Sequence, residues 1–226
     1  MYLDQTILAL DTSLNACSVA IIHSRKIYTL FQITRRKHEK YILKMIFKIL
    51  KMSHCTLKDV DFIACTIGPG SFTGIRISIN IAQTLSMIHD IPLLSFSTLQ
   101  VLSEQSWIKY HTNRTIIFIK INSNNFLWGK YYRNTNGIWI GEHTEKSLKN
   151  INKIPKLIKN CTGIWAVIGT TWNFRFSLKK SIKLLYTNIQ TPQAKDIIFC
   201  SHAYLKKNIY HKIKCIYPKY LPNIYF

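Results

Sequence analysis

The chain has 226 residues, 47% of them apolar, and carries 31 Lys/Arg against 10 Asp/Glu for a formal charge of +21. That length allows one large domain or two small ones with cores of their own. No apolar run approaches the roughly 18 residues that span a bilayer, and Met1 to Asp11 has no basic leader, so a soluble cytoplasmic protein with no membrane contact is expected. The charge is lopsided: residues 1–108 hold 11 Lys/Arg against 7 Asp/Glu, or +4, and residues 109–226 hold 20 against 3, or +17. Such a half-chain suits a phosphate-rich partner, because Lys and Arg release counterions from nucleic acid. Codon composition is a second explanation, since the excess is mostly Lys and accompanies abundant Ile and Asn. The six cysteines form no C-x-x-C pair and no H-x-x-x-H occurs, so no metal site is predicted.

In chain order, Gln5–Leu10 reads as a strand ending at Asp11-Thr12-Ser13, and Cys17–Ile22 and Lys26–Ile33 complete a meander. His38–Met52 changes to helical spacing through Tyr41, Ile42, Met45, Ile46, Ile49 and Leu50, with Leu43 and Phe47 on another side. Asp61–Ile67 is a strand feeding a glycine-rich turn, Gly68 to Gly74. Ser71 or Thr73 caps the next helix, Thr73–His89. Leu93–Phe96 is a short strand, and Thr98 caps a helix to about Trp107. The second half offers strands at Thr115–Ile121, Phe126–Arg133, Ile138–Ile140 and Ile164–Ile168, with Asn134 to Gly137 as a hairpin turn. Ile154–Lys159 and Gln193–Lys206 read as helices. The order is that of a mixed α/β protein. The charge step and the second run of strands put a boundary near residue 108, giving subdomains 1–108 and a smaller, basic 109–226.

Two features carry chemistry. Asp11, Thr12 and Ser13 at a strand end, with Gly70 and Ser71 at a helix start, could hold an anion or nucleotide; a plain Asx-type turn and a close-packed corner explain the same residues. A Walker loop is excluded, because Ile75 stands where its Lys would be. The second feature is surplus apolar surface. Helix 73–89 has one stripe through Ile75, Ile79, Ala82 and Ser86, and another through Ile77, Ile81, Leu85 and Ile88. One stripe a little over 100° wide suffices to cover a sheet, so the surplus predicts a further partner, a neighbouring helix or another chain. The interface candidates are Tyr41, Met45, Ile75, Ile79, Ala82 and Leu85. Catalysis is poorly served: acids are scarce, only Glu39, Asp90 and Glu142 adjoin a His, and no G-x-S-x-G elbow occurs. No catalytic residue is assigned.

Ile7-Leu8-Ala9-Leu10-Asp11-Thr12-Ser13, Ala16 to Ala20, His38-Glu39, Gly68-Pro69-Gly70-Ser71-Phe72-Thr73-Gly74-Ile75-Arg76 and Ser97-Thr98-Leu99 together resemble the TsaB (YeaZ) family in order and spacing. Weaker likeness runs through Asn136-Gly137-Ile138-Trp139 and Ile168-Gly169-Thr170. The resemblance implies an actin-like ATPase (ASKHA, ribonuclease H-like) fold of two related subdomains. It implies a non-catalytic subunit that pairs with the catalytic TsaD, helped by the ATPase TsaE, in modifying adenosine 37 of tRNAs reading ANN codons. The N-terminal helices of such proteins contact TsaD or form homodimers, tRNA is met through the complex, and ATP or ADP has a place at the junction rather than as a cofactor of this chain. Departures fall in the second half: Lys120-Ile121-Asn122 replaces an Asp-Ala-Arg stretch, Asn125 takes an acidic place, and Tyr220-Leu221-Pro222 replaces Tyr-Leu-Arg. Two other readings remain from the residues: an autonomous ATP-binding enzyme of this fold, and a tRNA-binding module built on the basic half.

Overall fold

β-branched and apolar runs of the first half pair into a five-stranded sheet. Its strands are β1 (Ile7–Asp11), β2 (Ala16–His23), β3 (Lys26–Ile33), β4 (Phe62–Thr66) and β5 (Leu93–Phe96), in the order β3-β2-β1-β4-β5. β1, β2 and β3 are antiparallel neighbours, whereas β4 and β5 run parallel to β1. Every residue of β1 and β4 is buried, as expected for central strands covered on both faces. This computed structural model describes residues 4–34, 37–121, 125–149, 153–169, 181–207 and 215–222; Asn122 and Thr170, singled out above, lie outside them.

The second half repeats the pattern. β6 (Arg114–Lys120), β7 (Phe126–Arg133), β8 (Trp139–Ile140), β10 (Gly163–Ile168) and β11 (Ile182–Tyr186) form a sheet in the order β11-β10-β6-β7-β8, and β9 (Lys146–Leu148) pairs with β7. β6, β7 and β8 are antiparallel neighbours, and β10 and β11 follow in parallel. Omitting β9, both sheets run third-second-first-fourth-fifth, so one topology is used twice. β9 and β11 were not among the expected strands.

Helices fill the space around the sheets. α1 (His38–Ser53) and α2 (Phe72–His89) cover one face of the first sheet, burying Ile42, Ile46 and Ile49 with Ile75, Ile79 and Ala82. α5 (Ala194–Leu205) covers the other face through Ala194, Ile197 and Ile198. α3 (Thr98–Tyr110) packs on the second sheet through Leu99 and Leu102, and the short α4 (Ile154–Ile158) closes that sheet's outer face. α3 also touches α5, so these two helices form the middle layer.

The expected division at 108 therefore falls inside α3, which continues to Tyr110. The far half also returns to the near one, through α5 and through Lys219, whose N–H donates to the Ile67 carbonyl at 2.7 Å. Charge marks where the second sheet begins but carries no information on which sheet a later helix covers. No helix among the described residues is long and apolar enough to cross a membrane.

Candidate functional site

The glycine-rich corner joins β4 to α2 and rests on the end of β1. Gly70 and Gly74 allow that approach: a Cβ on either would lie 2.2 Å from the Ser13 carbonyl oxygen or 2.1 Å from that of Thr12. Part of the corner's backbone is engaged internally. Ser71 N–H donates to the Ser13 carbonyl at 2.7 Å, the Thr12 hydroxyl to the Gly74 carbonyl at 2.6 Å, and Gly74 N–H to the Ser71 hydroxyl at 3.3 Å. Ser71, not Thr73, is the cap of α2. At Gly68, φ is +104°, a value that disfavours side chains, and a Cβ there would meet the Lys219 carbonyl oxygen at 2.6 Å.

The five anion candidates separate in space. Gly70 and Ser71 line a cleft between the two sheets, together with Asn15, His38, Lys120 and Gln190, and its volume is about 120 Å³. Asp11, Thr12 and Ser13 are buried behind that lining. Small-molecule pockets typically measure about 300–1,000 Å³, so the cleft in this conformation is small for a nucleotide. Asp11 accepts hydrogen bonds at Oδ1 from the Thr66 hydroxyl at 2.5 Å and the Ser13 hydroxyl at 2.7 Å. Its other oxygen, Oδ2, is buried without a partner. A carboxylate there repels a phosphate, so the corner's geometry favours packing over anion binding.

Burial pushes the Asp11 carboxyl up from 3.8 to about 6, outweighing the lowering by Thr66 and Ser13. Between about pH 4 and 6 the folded state thus binds more protons than the unfolded chain, and stability falls as pH rises through that window. A shift of this size corresponds to about 3 kcal/mol. Asp11→Asn is expected to be about 2 kcal/mol more stable than wild type at pH 7 and to show a shallower loss between pH 4 and 6. Urea unfolding at a series of pH values measures both. Asp196, which burial pushes up to about 7, supplies a remaining slope.

The interface candidates need correction. Met45, Ile75, Ile79 and Ala82 are 8%, 0%, 2% and 0% exposed, because the most continuous stripe of each helix is the one that seats on the sheet. Tyr41 and Leu85 are half-buried against the same core. The free apolar surface lies elsewhere: Leu43 and Phe47 on α1, at 60% and 74% exposed, and Met87 and Ile88 on α2, at 65% and 69%. Phe47 and Leu50 also line an open groove of about 610 Å³ with Lys51, Cys55, Leu57, Lys58 and His89. Leu43 and Phe47 were visible in the sequence as the residues off the main stripe; that offset was the signal.

Two copies of a 3-2-1-4-5 sheet, with a cleft between them edged by the strand-to-helix glycine corner, define an actin-like ATPase (ASKHA) protein. Within that class, the family model described as "TsaD: tRNA N6-adenosine threonylcarbamoyltransferase" matches residues 30–223. Similarity is stronger to curated proteins called tRNA threonylcarbamoyladenosine biosynthesis protein TsaB. The one from Buchnera aphidicola subsp. Schizaphis graminum is 41% identical over 192 residues, covering 85% of this chain and 90% of the relative. The one from Escherichia coli is 35% identical over 194 residues, covering 85% and 84%. YeaZ from Pseudomonas aeruginosa superposes with a TM-score of 0.81 at 26% identity, covering 96% of this chain and all of that one. The chain belongs to the TsaB family.

Proposed function

We propose that this chain is a non-catalytic subunit that binds TsaD and supports threonylcarbamoyl transfer to adenosine 37 of ANN-decoding tRNAs in the cytoplasm, with TsaE as the assisting ATPase. The observation that carries this reading is the exposed apolar face of α1 and α2, Leu43, Phe47, Met87 and Ile88, beside an open groove. Exposed side chains of this size, grouped beside a groove, mark a protein-binding surface. The same surface serves a homodimer when TsaD is absent. The corner residues Ser71 and Gly74 use their amides on protein acceptors, which suits a structural base for α2 better than a phosphate cradle. ATP or ADP belongs at the junction of the assembled complex in this reading, and the chain needs no cofactor of its own.

Reconstitution tests it. TsaD and TsaE with an unmodified tRNA transcript, ATP and the threonylcarbamoyl donor are expected to give at least a hundredfold more modified adenosine when this chain is added. The isolated chain is expected to hydrolyse no ATP. Equal modification without the chain would refute the reading, and turnover of ATP by the chain alone, lost in Asp11→Ala, would favour an autonomous enzyme instead.

A further inference from the structure

The outer face of the second sheet combines cations and an aromatic ring in a way the scaffold role does not use. Strand register places Arg114 opposite Tyr132, Ile116 opposite Lys130, and Trp128 opposite Lys146, so all six share the face that α4 partly covers. Arg114 and Lys130 lie 6.0 and 5.9 Å from the Trp165 ring. Tyr132 is 48% exposed. α4 buries Ile154 and Ile158, while Lys153, Lys156 and Lys159, three residues apart, are exposed.

The three acids of residues 109–226 are Glu142, Glu145 and Asp196, and none of them joins these cations. Glu142 and Glu145 pair with Lys219 at 3.3 and 2.7 Å, and Asp196 is buried on α5. Codon bias acts on the whole gene, yet residues 1–108 carry +4 and residues 109–226 carry +17. Codon composition therefore accounts for lysine abundance but not for this segregation. A cationic sheet face with an open aromatic ring suits RNA: the cations neutralise phosphates, and the ring stacks on an unpaired base.

We propose that the outer face of the second sheet, through Arg114, Lys130, Tyr132, Lys146 and the lysines of α4, contacts the tRNA substrate directly. The proposal rests on the reading that the complex acts on tRNA, and it adds a contact to the chain that was expected to meet tRNA only through its partner.

The test is fluorescence anisotropy of a labelled, unmodified tRNA transcript titrated with the assembled TsaD complex between 50 and 200 mM salt. Lys130→Glu with Lys146→Glu is expected to weaken binding at least tenfold and to lower the salt slope by about two. Tyr132→Ala is expected to weaken it about fivefold or more, the loss of one stacked base. Lys153→Gln with Lys156→Gln, on the exposed side of α4, gives a readout of the same sign should the strand variant fail to fold. Lys206→Glu with Lys207→Glu, beyond α5 and on another surface, should leave affinity unchanged. Wild-type affinity in the outer-face variants overturns the proposal, as does an equal loss in the Lys206/Lys207 control. Failure here leaves heterodimer formation intact, whereas failure of the scaffold reading appears as modification that does not depend on this chain.

Discussion

Phe47→Asp combined with Ile88→Asp is expected to abolish heterodimer formation with TsaD while leaving this chain folded. The two side chains are 74% and 69% exposed in the isolated chain, so replacing them removes little from its core. At an interface each would contribute roughly 1.5–3 kcal/mol by burial. A carboxylate in the same place adds the cost of desolvating a charge, and together the two changes are expected to weaken association by a thousandfold or more. Size-exclusion chromatography of the co-expressed pair and circular dichroism of the variant chain supply the readouts. Ile79→Asp is the instructive contrast. Its side chain is 2% exposed, so an aspartate there is expected to unfold the chain outright, and loss of the complex in that variant would say nothing about the interface. An undisturbed heterodimer in the Phe47/Ile88 variant would place the interface on another surface.

Removing the Lys219 ammonium is expected to destabilise the chain by about 3 kcal/mol, the usual cost of leaving a buried charge without its partner. Lys219 Nζ lies 2.7 Å from Glu145 Oε2, and the Glu145 side chain is fully buried. Glu145 is also bound by the Ser97 and Tyr131 hydroxyls. Burial nevertheless holds its carboxyl above the ordinary range, with Lys219 and the hydroxyls acting in the opposite direction. The same segment secures the corner, since Lys219 N–H bonds the Ile67 carbonyl and the Tyr220 ring stacks on Phe72 of α2 at 5.2 Å. Lys219→Met should thus lower the urea midpoint, and Glu145→Gln added to it should restore most of the loss by removing the orphaned charge. Equal midpoints in wild type and Lys219→Met would show that the pair adds nothing to stability.

These two predictions divide along what sequence could and could not supply. Periodicity located α1 and α2 to within a residue or two, because apolar side chains repeat where a helix meets a sheet. It could not say which of two stripes faces inward. Ile75, Ile79 and Ala82 have the spacing of a partner surface, yet the sheet already claims them. β11, an edge strand with Ile182 and Leu184 half-buried and Leu185 and Tyr186 exposed, had too little alternation to be recognised. Nor does any local pattern pair Lys219 with Glu145, which are 74 positions apart in the chain.

What the sequence determined by itself was the family and the corner from Gly68 to Gly74. Glycines whose Cβ positions are filled by the carbonyls of Thr12 and Ser13 admit almost no substitution, so the constraint is written into the string itself. Only the tertiary structure decided what the corner does. The Ser71 and Gly74 amides find acceptors inside the chain, and Asp11 is sealed behind the cleft rather than opening into it. The composition likewise announced a basic half but not where its charge lies. Register sets that: residues two apart on a strand share a face, and so Arg114, Lys130, Tyr132 and Lys146 come together on one side of a sheet while Glu142 and Glu145 pair with Lys219 elsewhere.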